Sequence, residues 1–171
     1  ASASGDEILT GPGPGALFGP QVRGFRGNGA SLAKVNFYAY GTLKYGVNVS
    51  GAGLDADAWR ELVTGPGPGA LFGPHLRGWN ADGASPAAMP AVNAFVYTTL
   101  KYGLNVTAGD LEGDAFEEVV TGPGPGVVFG PHVKGFDVDG GAARPLSYVN
   151  HFTHATTVYG ANVATADFDA D

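Results

Sequence analysis

The residues of this sequence that are best suited to chemistry are carboxylates. The chain carries 16 Asp and Glu against 9 Lys and Arg, which gives a formal net charge of −7. The carboxylates concentrate in short acidic loops such as residues 53–61, and oxygen-rich loops are what hard cations such as calcium require. The acidic balance is compatible with cation binding and argues against nucleic-acid binding, which requires a basic face.

Several other chemistries are excluded by residue type. The chain has no cysteine, so disulfides, thiolate metal sites and cysteine nucleophiles cannot occur. The repeated Gly-Pro-Gly-Pro-Gly run is not a phosphate-binding loop, because its prolines remove amide donors and no Lys-Ser or Lys-Thr follows. No arrangement of serine, histidine and acid suggests a nucleophile. We therefore expect a protein that is not an enzyme.

The elements that must position the acidic loops come from one stretch that occurs three times. Its copies span residues 10–25, 64–79 and 121–136, each beginning Thr-Gly-Pro-Gly-Pro-Gly. A period of this length is typical of repeat architectures, in which each unit buries its faces against its neighbours. Glycine and proline are abundant, at 29 and 12 residues, but they fall at fixed repeat positions and so indicate ordered turns.

Each repeat contains four strand-like segments, which the unit 45–100 illustrates. They are residues 45–51, 62–64, 70–79 and 92–97, with a bulge or bend expected at Gly73–Pro74 and a turn at residues 80–83. Helix signals are weak. Four short strands joined by tight turns predict an all-β fold, either a propeller blade or a fragment of a sandwich, and the repetition favours a β-propeller of four-stranded blades.

Counting along the sequence places three blades in a single domain, residues 1–171. Tyr45 precedes Thr64 by the same distance as Tyr102 precedes Thr121. The same distance counted from Tyr159 passes the end of the chain, and Thr10, near its start, is the remaining equivalent of Thr64 and Thr121. Residues 45–100 and 102–158 are then complete blades. Residues 4–43 supply the three outer strands of a split blade, and residues 159–171 supply its inner strand.

Three blades are too few for a ring, because propellers typically have four to eight. A homodimer would give six blades, with closure between the termini of the two chains. A nine-bladed trimer, a piece of a longer propeller, and an engineered or reconstructed half-propeller remain alternatives. No apolar run approaches the length of a membrane span.

Residues 102–126 carry a family resemblance. The segment reads Tyr-Gly-Leu-Asn-Val-Thr-Ala-Gly-Asp-Leu-Glu-Gly-Asp-Ala-Phe-Glu-Glu-Val-Val-Thr-Gly-Pro-Gly-Pro-Gly. It resembles the FG-GAP repeat of integrin alpha-chain propellers and bacterial surface proteins, with Tyr-Gly in place of Phe-Gly and Thr-Gly-Pro in place of Gly-Ala-Pro. The resemblance covers essentially the whole chain. It implies a propeller, a secreted or cell-surface location, and an adhesion, lectin or scaffold role.

The resemblance also implies that the acidic loops bind calcium through carboxylates at loop positions one, three, five and nine and a backbone carbonyl at position seven. The 110–118 loop is the more complete of the two unbroken loops, since position one of the other is Gly53. The family prefers Gly at position six, where this chain has Ala58 and Ala115. The implied ligands are Asp110, Glu112, Asp114, Phe116 and Glu118; Asp55, Asp57 and Glu61; and, in the split loop, Asp167, Asp169, Asp171 and Glu7.

A second set of candidate binding residues repeats at the third strand. A basic residue stands two positions before an aromatic one in every copy, and an aromatic ring beside a polar group is common in sugar sites. The alternative function is therefore a carbohydrate-binding propeller lectin, with a glycan or a protein as ligand. The candidate ligand-binding residues are Arg23, Phe25, His75, Arg77, Trp79, His132, Lys134 and Phe136. The repeated Asn48, Asn105 and Asn162 are expected to hydrogen-bond within the propeller.

Overall fold

The computed structural model describes residues 5–41, 44–98, 101–138, 142–155 and 157–168. These residues form eleven β-strands and no helix, so the predicted all-β class is confirmed. No helix of a length and hydropathy suited to a membrane span occurs in this part of the chain. The strands are β1 Ile8–Thr10, β2 Gln21–Phe25, β3 Ser31–Tyr38, β4 Val47–Ala52, β5 Glu61–Pro66, β6 His75–Asn80, β7 Ala87–Phe95, β8 Leu104–Gly109, β9 Glu118–Pro123, β10 His132–Asp137 and β11 Arg144–Phe152.

The strands form three open antiparallel sheets. The first sheet contains β1–β2–β3, the second β4–β5–β6–β7 and the third β8–β9–β10–β11. Within each sheet every strand pairs with the next in sequence, as short turns require. The second and third sheets repeat the same register: Val49 lies opposite Thr64 and Val106 lies opposite Thr121.

The strand boundaries differ from the predicted ones in three places. β5 continues through Gly65–Pro66, where the sequence predicted a break, and Pro66 lies opposite Val47. β6 begins only after Gly73–Pro74, and its bulge lies between Arg77 and Gly78 instead. The bulge falls there because Gly78 lies against Val92, where an added Cβ would come within 2.6 Å of the valine Cβ. β7 runs over residues 87–95, earlier than the predicted 92–97.

The hydrophobic core consists of two layers, each between successive sheets. One layer joins the second and third sheets and includes the fully buried Leu76, Val92 and Leu104. The other joins the first and second sheets and includes Val22 and Trp79. The second sheet therefore packs against a neighbour on each face, and the first and third sheets each pack against the second, in chain order as in a repeat architecture.

Residues 157–168 form no strand, although the sequence predicted an inner strand at 159–171. A strand needs a backbone ladder, and this segment contacts β8 chiefly through side chains: Asn105 donates to the carbonyl oxygen of Ala161 at 2.6 Å, and Thr165 donates to that of Ala108 at 2.5 Å. The far end of the predicted strand, residues 169–171, lies outside the described residues.

Candidate functional site

The acidic loops connect the first two strands of each complete sheet. The first loop, residues 53–60, joins β4 to β5, and the second, residues 110–117, joins β8 to β9. The two loops contact each other: the Glu117 amide donates to the Gly53 carbonyl at 2.8 Å, and Arg60 forms an ion pair with Glu117. The packing of the sheets thus places both loops at one end of the molecule.

The first loop gathers three carboxylates. Asp55, Asp57 and Glu61 each offer an oxygen, and these oxygens lie within 4.8 Å of one another. Asp55 Oδ1 accepts the amide of Asp57 at 3.1 Å, and Asp57 Oδ1 accepts that of Trp59 at 2.6 Å. These bonds hold the two aspartates beside Glu61 with their remaining oxygens exposed to solvent.

Glu61 is the unusual member of this group because its side chain is completely buried. Its Oε2 accepts the Leu54 amide at 2.9 Å, but its Oε1 is buried without a hydrogen-bond partner. Burial raises the pKa of Glu61, and the nearby charges of Asp55 and Asp57 raise it further. A buried carboxylate that has one oxygen without a donor and lies close to two exposed carboxylates fits a divalent cation, because the ion would supply the missing positive charge.

The second loop does not gather its carboxylates in the same way. Asp110 turns back on its own loop and accepts the amides of Gly113, Asp114 and Ala115 at 2.7, 3.2 and 3.0 Å. These bonds, chiefly that from Ala115, hold the pKa of Asp110 below its ordinary value. Glu112 accepts a hydrogen bond from the Tyr148 hydroxyl at 2.7 Å. Among the described residues only the first-loop carboxylates converge, although the sequence favoured the second loop.

The remaining implied ligands are placed as follows. Glu118, the counterpart of Glu61, is buried, and its Oε2 accepts the Leu111 amide at 2.6 Å; burial raises its pKa. The amide of Phe116 donates to Asp114 at 3.1 Å. Glu7 and Asp167 of the split loop are exposed. Their predicted partners, Asp169 and Asp171, lie outside the described residues.

The two loops differ in backbone conformation at position six. Ala115 has a φ of 75°, in the left-handed region that favours glycine, and Ala58 is not among the residues with positive φ. The first loop therefore reaches its conformation without the strain that the second one carries.

In two of the three predicted basic–aromatic pairs the aromatic ring is buried and the basic residue is half-buried. Trp79 is buried and donates from Nε1 to the Thr64 hydroxyl at 2.9 Å. Arg77 lies 4.4 Å over the Trp79 ring and donates to the carbonyl of Ala39 in the preceding sheet at 2.6 Å.

The third-sheet pair repeats this arrangement. Phe136 is buried, and Lys134 donates to the carbonyl of Val96 in the second sheet at 3.1 Å. In the first sheet, Arg23 is exposed over the ring of Phe25 at 5.0 Å. The basic residues of the second and third sheets thus tie each sheet to the one before it.

His75 and His132 belong to exposed polar–aromatic groups that the sequence indicated only in part. His75 stacks on Phe95 with ring centroids 4.5 Å apart and hydrogen-bonds Asn93 at 2.6 Å. His132 stacks on Phe152 at 4.6 Å and bonds Asn150 at 2.7 Å in the same way. In the first sheet the corresponding bond joins Gln21 and Asn36 at 2.8 Å. The partners on β7 and β11 were missed; their signal is the Asn-x-Phe spacing shared by residues 93–95 and 150–152.

The repeated asparagines form a hydrogen-bonded ladder along the β4 and β8 edge of the sheets. Asn48 donates to the side chain of Asn105 at 2.9 Å, and Asn105 donates to that of Asn162 at 3.0 Å. All three line a cavity of about 490 Å³, together with β1 and residue 163. No protein-family model, curated protein sequence or solved structure matches this chain.

Proposed function

We propose that the chain is a non-enzymatic binding or structural module, that its sheets are propeller blades of the FG-GAP type, and that it closes by self-association. One observation carries this: the side-chain contact that joins the second sheet to the third recurs between the third sheet and the segment 157–168. Asn48 donates to the carbonyl of Leu104 at 2.8 Å, and Asn105 donates to that of Ala161 at 2.6 Å. Units related by one repeated contact continue as a ring or a filament, and a homodimer would supply six blades.

The mass of the folded chain in solution tests this proposal. Size-exclusion chromatography with light scattering should give twice the single-chain mass of 17.3 kDa. Three times that mass would support the nine-bladed alternative. A single-chain mass at every concentration would contradict self-association.

The cation that we assign to the first loop is calcium, held by Asp55, Asp57 and Glu61. All three ligands are carboxylates, which suit a hard cation, and the extracellular modules that use such loops bind calcium at roughly 10⁻⁴–10⁻³ M. A site of that affinity fits a secreted or cell-surface protein. Calcium at about one hundred times its dissociation constant should stabilise the fold by about 2.7 kcal/mol.

Differential scanning calorimetry in calcium and in chelator tests this assignment. We expect calcium to raise the melting temperature, and Asp57→Asn to remove the rise. Asp114→Asn is the matched control, since it changes the equivalent residue of the loop whose carboxylates do not converge. Equal calcium responses in these two variants would show that the first loop is not the site.

The alternative function is a carbohydrate-binding lectin, and the exposed polar–aromatic groups are the observation that favours it. The rings of Phe95 and Phe152 are more than half exposed, and each stands beside a histidine and an asparagine. Exposed rings can stack on the apolar faces of sugars while the amides bind hydroxyls. Binding on a glycan array that is lost on Phe95→Ala with Phe152→Ala would favour the lectin over the scaffold.

A further inference from the structure

Three equivalent Tyr-Gly pairs precede the inner strands, and each takes a left-handed conformation. The φ values are 68°, 71° and 74° for Tyr45, Tyr102 and Tyr159. Each tyrosine amide donates to a glycine carbonyl of the preceding Gly-Pro-Gly-Pro-Gly loop: Tyr45 to Gly15, Tyr102 to Gly69 and Tyr159 to Gly126, at 2.7–2.8 Å. The backbone of all three tyrosines is therefore fixed by the sheet before it.

The contacts on the opposite side of each tyrosine ring differ between the third Tyr-Gly pair and the first two. The loop of its own sheet covers Tyr45, because a Cβ added at Gly69 would collide with the Tyr45 ring. Gly126 covers the ring of Tyr102 in the same way. Among the described residues Tyr159 has no such cover, and it is 64% exposed, while Tyr45 and Tyr102 are half-buried.

The first Gly-Pro-Gly-Pro-Gly loop shows the complementary gap. Gly67 and Gly124 lie against the carbonyls of Tyr45 and Tyr102, where no Cβ would fit. Their counterpart in the first loop, Gly13, has nothing within 4 Å of an added Cβ, and neither has Gly15. The first loop is thus built like the other two, but no group in the described part of the chain occupies the place of the tyrosine.

We propose that residues 159–168 of one copy dock along β1 and the 11–15 loop of a second copy, with Tyr159 covered by Gly15 of that copy. The docking rests on the proposed function, because it names the surface through which the module associates. The occupant is a second copy because the docking continues the contacts that already join the three sheets. The exposed segment at Tyr159 and the open 11–15 loop belong to the same chain. They carry the same residues that fill the equivalent contacts between its sheets.

The repeat fixes the register of the docked segment. Val49 lies opposite Thr64 and Val106 opposite Thr121, so Val163 is placed opposite Thr10 of the second copy and Ala164 opposite Leu9. The side-chain amide of Asn162 is then placed to donate to the Asn48 side chain of the second copy, which extends the asparagine ladder across the interface.

A valine substitution at an open glycine tests the contact without disturbing the single chain. Gly15→Val adds a side chain where the chain has free space, but the side chain would collide with Tyr159 of a docked copy. Sedimentation over a dilution series should show a dissociation constant raised by at least about tenfold, as overpacking at a close contact predicts. Gly41→Val is the matched control, since Gly41 is equally open and lies outside the docking surface. Association of Gly15→Val at the wild-type constant would overturn the proposal.

Cysteine cross-linking tests the register even if a valine variant folds poorly, because the chain has no cysteine of its own. Leu9→Cys mixed with Ala164→Cys should give a disulfide-linked pair of chains on oxidation. Ile8→Cys mixed with Ala164→Cys should link at least about tenfold less, because adjacent residues of a strand face opposite sides.

The outcomes separate this inference from the proposed function. If the wild-type chain associates, but Leu9→Cys links to Ala164→Cys no better than Ile8→Cys does, only the docking mode is contradicted. A wild-type chain that is monomeric at all concentrations would contradict both the docking mode and self-association.

Discussion

The side-chain amide of Asn48 donates to the side-chain oxygen of Asn105 at 2.9 Å, across the boundary between the second and third sheets. Asn105 repeats the bond toward Asn162 and also donates to the carbonyl of Ala161. The middle asparagine therefore accepts from one unit and donates to the next, and it joins three successive inner segments.

Replacing Asn105 should therefore weaken the packing of the units. Asn105→Leu keeps the approximate shape but removes the donor to the Ala161 carbonyl and leaves Asn48 only its bond to the Leu104 carbonyl, and each hydrogen bond lost costs about 0.5–1.5 kcal/mol. We expect urea unfolding to show a loss of that size. The control is Ser50→Ala, because the Ser50 hydroxyl bonds only the carbonyl of its neighbour Gly51 in this structure; it should cost much less. Equal losses in the two variants would contradict the linking role of Asn105.

Two buried tyrosines should make the fold sensitive to alkaline pH. Tyr97 donates to the carbonyl of His132 at 2.6 Å, and Tyr40 donates to that of His75 at 2.7 Å. Burial raises the pKa of both hydroxyls above the ordinary value of 10.0. Since the folded state then holds these protons more tightly than the unfolded state, stability is full below pH 10 and falls as the pH rises above it.

Removing the hydroxyls should remove this pH dependence. In Tyr40→Phe with Tyr97→Phe, the unfolding free energy at pH 7 should drop by about 1–3 kcal/mol for each site, because buried acceptors lose their donor. Above pH 10 the slope should become shallower than in the wild type. Tyr38→Phe, at an exposed position, is the control. An unchanged alkaline slope in the double variant would show that other groups cause it.

The strand order and the fold class could be predicted because they depend on local signals. Turn residues at fixed positions and alternating valines such as Val47 and Val49 define strands without knowledge of what they pack against. The burial of the Trp79 side chain could not be predicted in this way. Its ring is buried because the second sheet stacks on the first, and the angle between sheets is set by tertiary packing that leaves no short-range pattern.

The carboxylates converge in the first loop, although the sequence favoured the second, and the reason is physical. The carboxylate at position one, Asp110, looks like a ligand in the sequence, but it satisfies three amides of its own loop. Gly53 at the same position of the first loop carries no such side chain, so the amides there are left to Asp55 and Asp57. The buried Glu61 oxygen that completes the first-loop group depends on side-chain direction, which residue spacing does not define.

The strained alanine in the second loop offers a test of backbone conformation. Ala115 has a positive φ and Ala58 does not, although both occupy position six. Ala115→Gly should raise the unfolding free energy by up to about 1 kcal/mol, because glycine relieves the left-handed strain. Ala58→Gly should lower it by about 0.4–1 kcal/mol through the added freedom of the unfolded chain. Changes of the same sign in thermal unfolding would contradict the difference between the loops.

The charged Glu61 side chain should destabilise the fold without calcium and stabilise it when calcium is bound. Burial raises its pKa, so in chelator the folded state holds the proton more tightly than the unfolded state. The stability that protonation provides is present near pH 4.5 and is lost as the pH rises through the folded-state pKa. Glu61→Gln should therefore stabilise the fold in chelator at pH 7 and abolish the stabilisation by calcium. Glu117→Gln, whose carboxylate pairs with Arg60, should keep the calcium response. If thermal unfolding shows that Glu61→Gln destabilises the chelated protein at pH 7, or still responds to calcium, then Glu61 does not hold the ion.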